Sequence, residues 1–91
     1  MGYAEVMSRK IPVSTAEKVV NQYILAQMGL RGENAASISK KLDRSYPYVR
    51  DRTQGRKPWA ISDIEAFSHL WGIPVKEFFS DSVSIRPESM D

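Results

Sequence analysis

Cysteine is absent from all 91 residues, which excludes disulfides and thiolate metal sites and fits a reducing compartment. Histidine occurs once, at His69, and no clustered carboxylates stand near it in the chain. A metal centre needs three or four ligands, so neither a metal nor a cofactor is expected. The chain also lacks a Ser–His–Asp constellation, a glycine-rich phosphate loop and a catalytic carboxylate pair. No enzyme activity and no catalytic residue are expected. No apolar run reaches 18 residues, and no start of signal type, charged and then apolar, is present. Gly2 follows Met1, but Val6 stands where a myristoylation signal requires Ser or Thr. The expectation is a cytoplasmic protein with no membrane partner.

What is there suits one small domain. A chain of this length buries only roughly 60–65% of its unfolded surface, which leaves little room for an enclosed pocket. Hydrophobic residues at 42% and charged residues at 26% lie near the globular average, so most of the chain is expected to be ordered.

The net charge of +2 conceals a strong polarity along the chain. Residues 1–39 carry four basic and three acidic side chains. Residues 40–57 carry seven basic ones (Lys40, Lys41, Arg44, Arg50, Arg52, Arg56 and Lys57) against Asp43 and Asp51. Residues 58–91 carry two basic and six acidic ones. A one-sided positive field attracts polyanions, although a charged stretch is also what any wet helix face looks like.

Residues 1–13 lack apolar periodicity and read as an N-terminal arm. Ser14 followed by Glu17 is a capping-box pattern, and Val20, Tyr23, Ile24 and Met28 recur at helical spacing up to Gly29, a natural C-cap. Asn34 then caps a short helix with Ile38 and Leu42 on one face, and Asp43–Arg44 break it. Ser45 caps a third helix through "YPYVRDRTQ", with Pro47 in the first turn, where a missing N–H has no helical partner to lose. After the loop "GRKPWAI", Ser62 and Glu65 predict a second capping box. Ile61, Ile64, Phe67, Leu70 and Trp71 supply an apolar face ending at Gly72. "IPVKEFF" reads as a short last helix opening at Pro74, and residues 80–91 as a small, polar, acidic tail. The expected fold is an all-α, compact five-helix domain over residues 14–79.

A helix, a turn of three or four residues and a second helix form the helix-turn-helix unit, whose second helix enters the DNA major groove. Residues 35–55, "AASISKKLDRSYPYVRDRTQG", resemble that unit as it occurs in the lambda-repressor-like family of Cro and phage repressors. The resemblance is carried by Ile38, Leu42, Ser45, Val49 and Gly55 at the family's offsets. It continues through "RKPWAISDIEAFSHLWGIPVKEFF", similar to the family's fourth and fifth helices, and covers roughly residues 14–79. It implies a DNA-binding repressor domain with the helix-turn-helix at helices two and three. The chain departs from the pattern with Ser39 for the usual alanine, Asp43 for the turn glycine and Ala35 for a glutamine that often opens helix two. Arg44 and Arg52 stand where the family prefers apolar residues, so their stems must lie on the core with heads in solvent or on phosphate.

A helix in the groove presents its first turn and one face, while Val49 faces inward. The candidate base contacts are therefore Tyr46, Pro47, Arg50, Asp51 and Gln54. Arg50 leads as a bidentate donor to guanine, with Asp51 either accepting from cytosine or orienting Arg50. The candidate phosphate contacts are Lys40, Lys41, Arg44, Ser45, Tyr48, Arg56 and Lys57. Against these stand ordinary roles: Arg50 as an exposed arginine, Tyr46 and Tyr48 as packing, Arg52 as the partner of an acid. Trp59, Phe67 and Trp71 are read as core aromatics.

One recognition helix reads few base pairs, so a homodimer on an inverted repeat is expected. Val75, Phe78 and Phe79 are the candidate dimer interface, or else the two phenylalanines complete the monomer core. The partner is then double-stranded operator DNA. The alternative is an antitoxin or other protein-interaction module, using residues 80–91 on a protein partner. A controller of a restriction operon would share the DNA-binding biochemistry.

Overall fold

The computed structural model describes residues 12–80. They form four α-helices and one 3-10 helix: α1 (Thr15–Leu30), α2 (Ala35–Leu42), α3 (Tyr46–Thr53), α4 (Ile61–Trp71) and the 3-10 helix Val75–Phe79. No strand occurs among the described residues. The arm and tail expected at 1–13 and 80–91 fall almost wholly outside them.

Each helix starts where its side chains can satisfy orphan amides. In α1 the Ser14 hydroxyl accepts from the Glu17 amide at 3.1 Å, and the Glu17 carboxylate accepts from the Ser14 amide at 2.9 Å. In α2 Asn34 and Ser37 exchange the equivalent pair, both at 2.9 Å. Ser45 caps α3 by accepting from the Tyr48 amide, and Pro47 lies in the first turn. Such caps are each worth about 1 kcal/mol.

Three expectations are corrected. First, α4 does not start at Ser62. Ala60 is its N-cap, and Asp63, three residues on, accepts from the Ala60 amide at 3.0 Å. Second, α1 runs one residue past Gly29, and the left-handed residue that ends the turn is Gly32, with φ 67°. Third, the fifth helix is not α-helical. Val75–Phe79 follows Pro74 and makes i→i+3 bonds, Glu77 N–H to Pro74 C=O at 2.9 Å and Ser80 N–H to Glu77 C=O at 3.2 Å. The 3-10 helix is used in such short pieces and in connections between elements.

The core gathers side chains from all four α-helices and the 3-10 helix, with Val49 as the contribution of α3. α1 contributes Val20, Ile24 and Met28 at four-residue spacing, α2 contributes Ile38 and Leu42, and α4 contributes Ile64 and Phe67. Ile61 and Leu70, expected on the apolar face of α4, are exposed instead. Trp59 enters from the α3–α4 loop, with its ring edge-on to Phe67 at 5.0 Å and its indole N–H donating to Asn21 at 2.8 Å. Phe78 closes the bottom of the core, edge-on to Tyr23 at 5.1 Å and stacked near Trp71. With 0% exposure, Phe78 has no surface left for a second copy. That part of the expected dimer interface is corrected to a core role, whereas Val75 and Phe79 are exposed.

Candidate nucleic-acid interface

α2 and α3 are joined by only Asp43, Arg44 and Ser45. The turn is possible because Asp43 takes the left-handed conformation, φ 58° and ψ 49°, as the C-cap of α2. Asp is among the few non-glycine residues that do so readily. The Arg44 amide closes the end of α2 on the Ser39 carbonyl at 2.9 Å. Ser39 is buried, and its hydroxyl is satisfied by the Ala36 carbonyl at 2.8 Å.

α3 buries one side chain fully, Val49. Tyr46, Arg50 and Gln54, at four-residue spacing, form a ridge on the flank beside it, in which Tyr46 and Gln54 are exposed and Arg50 is half-buried, its Nε enclosed without a hydrogen-bond partner. The Arg50 guanidinium lies 5.7 Å from the centre of the Tyr46 ring. Asp51 faces both Arg50, at 3.8 Å, and Arg56, at 3.2 Å, so its carboxylate steadies two cations of the patch. Ser45, Tyr46, Pro47, Gln54, Lys40, Lys41, Arg56 and Lys57 are exposed, while Arg50 and Asp51 are half-buried. Lys41 is paired with Glu33, whose carboxyl is held below its ordinary range by Lys41 and then by the Ser37 hydroxyl. Lys40 and Lys57 have no acidic partner within ion-pair distance among the described residues.

Arg44 and Tyr48 were grouped with the phosphate anchors by sequence, but their polar heads turn inward. Arg44 Nε donates to Asp63 Oδ1 at 2.9 Å, and the Tyr48 hydroxyl donates to Asp63 Oδ2 at 2.7 Å. Asp63 itself is 0% exposed. Arg44 is held above its ordinary value by that hydrogen bond. Burial first, and then the bond to Asp63, pushes the Tyr48 hydroxyl up. Arg52, expected to partner an acid, has none within ion-pair distance among the described residues. Its guanidinium stacks on the Tyr48 ring at 3.4 Å and donates to the Tyr48 carbonyl at 3.0 Å. Arg44 and Arg52, whose stems were expected to lie on the core, thus each have a polar or aromatic seat within the fold.

Sequence reasoning missed Asp63. Its acid entered only the charge balance, because Ser62 and Glu65 offered a more familiar capping pattern. The available signal was the spacing of Asp63 from Ala60, which is that of an N3 acid.

A shallow groove of about 360 Å³ lies on another part of the molecule, lined by Glu17, Val20, Trp59, Ile61, Ile64 and Phe79. Among the described residues no helix is long and apolar enough to cross a membrane, and no three metal-ligating side chains converge. Comparison of the chain with protein-family models, curated proteins and solved structures gives no match.

Proposed function

We propose that this chain is a sequence-specific regulator of transcription, of the Cro and phage-repressor type, that lays α3 in the major groove of double-stranded DNA. In this reading α2 and α3 are the helix-turn-helix, and the working site is a bacterial cytoplasm. The observation that carries the proposal is the ridge of Tyr46, Arg50 and Gln54. It lies on the flank of α3 beside Val49, with Tyr46 and Gln54 exposed and Arg50 half-buried, in a stretch that also carries the exposed cations Lys40, Arg56 and Lys57. Arg50 reads a base, and the bordering cations hold phosphates. The family resemblance of residues 35–55 supports the same assignment.

The protein acts as a dimer on an inverted repeat, since one such helix contacts only a few base pairs. Exposed Val75, Ile61 and Phe79, the last two on the apolar groove, supply a surface for the second copy.

Affinity measured against salt on a panel of duplexes tests the assignment of roles. Arg50→Ala should relax preference at one base pair and cost about 1–3 kcal/mol there. Lys57→Ala should weaken all duplexes alike and lower the salt slope by about one. If both substitutions act uniformly, Arg50 is not a reader.

A further inference from the structure

α3 has one fully buried side chain, Val49, and also packs on the core through the ring of half-buried Tyr48, in contact with α2 and α1. These contacts fix how close the eight-residue helix sits, and a directional contact further constrains its rotation about its own axis. The Asp63 carboxylate supplies that contact. Its two oxygens accept from Arg44 in the α2–α3 turn at 2.9 Å, from the Tyr48 hydroxyl on α3 at 2.7 Å and from the Ala60 amide at the start of α4 at 3.0 Å. Arg44 also donates to the Leu42 carbonyl at 3.0 Å, which ties the same point to the end of α2. Three chain segments therefore meet on one planar group whose lone pairs set their directions.

We infer that Asp63 is the positioning residue of the candidate interface: through Tyr48 and Arg44 it sets the rotation of α3, so that Tyr46, Arg50 and Gln54 face outward. This rests on the reading of α3 as the DNA-reading helix, and Asp63 itself touches no DNA. Tyr48 carries the constraint further along α3, because Arg52 is stacked on its ring and bonded to its carbonyl. An acid that merely stabilised the fold would lower the population of folded protein without favouring one helix or one DNA sequence.

Two variants test this. Asp63→Asn keeps the shape but exchanges one acceptor for a donor. Tyr48→Phe removes only the α3 branch, leaves the charge unchanged and serves if the first variant does not fold. In the free protein, amide exchange followed by NMR should accelerate at residues 49–54 by about tenfold more than at Val20–Met28. On DNA, under conditions where each variant is fully folded, the ratio of affinity for the preferred duplex over a scrambled one should fall by about tenfold, with affinity for the scrambled duplex unchanged. Equal acceleration in all helices overturns the inference, as does an unchanged affinity ratio. If the wild-type chain prefers no duplex, the DNA-reading proposal fails by itself, and the exchange comparison still decides whether Asp63 orients α3.

Discussion

Asp63 is a buried acid in a chain of 91 residues, and such a group is tolerated only when its charge is met. Arg44, Tyr48 and the Ala60 amide meet it. Buried ion pairs add little net stability but are costly to break, because the orphaned charge stays behind. Tyr48→Phe is thus expected to cost about 1–3 kcal/mol, the penalty for depriving a buried acceptor of a donor. The same network gives a pH dependence. Folding raises the Tyr48 hydroxyl above the ordinary phenol value of about 10. The corresponding stability is fully present below that value and is lost as pH rises through the folded one. Chemical denaturation between neutral and strongly alkaline pH should show a falling midpoint in the wild type and a flatter curve in Tyr48→Phe. At this scale the sequence disclosed which residues were unusual but not where their heads would go. Arg44 and Arg52 stood out against an apolar pattern, whereas their seats depend on Asp63 and Tyr48 meeting across 15 residues of chain. No local spacing encodes such a meeting.

Local chemistry governs the helices, and there the sequence was most legible. Ser14, Asn34 and Ser45 each cap a helix because their side chains reach the amide three residues on, a relation contained within a few positions. Ser45→Ala is expected to cost about 1 kcal/mol. Asp43→Val should cost about 1–2 kcal/mol, since a β-branched residue is strained at φ 58°. Asp43→Gly should be tolerated, and thermal unfolding of the three variants checks the order. The start of α4 was misplaced because two capping patterns overlap there, Ala60 with Asp63 and Ser62 with Glu65. The choice between them is tertiary: Trp59 is anchored in the core and on Asn21, and Asp63 is claimed by Arg44 and Tyr48. The 3-10 helix was misjudged for a related reason. Its length and Pro74 were visible, but the pull of Phe78 into the core between Tyr23 and Trp71 was not.

The chain as a whole is polarised in charge, with seven basic and two acidic side chains over residues 40–57 and two basic and six acidic ones over residues 58–91. The two phenylalanines of the 3-10 helix divide the remaining work. Phe78→Ala is expected to cost about 3–5 kcal/mol of folding stability by opening a cavity. Phe79, at 45% exposure, should tolerate Phe79→Ser in folding but lose self-association, as sedimentation will show. A wild-type chain that stays monomeric at high micromolar concentration and on DNA would contradict the dimer. The central claim is that α3 reads a defined base sequence, and it is tested most directly by selecting bound molecules from random duplex DNA. The expected result is an enriched palindromic motif, with half-sites about one helical turn apart and binding that weakens steeply with salt. Recovery of no enriched motif would contradict it.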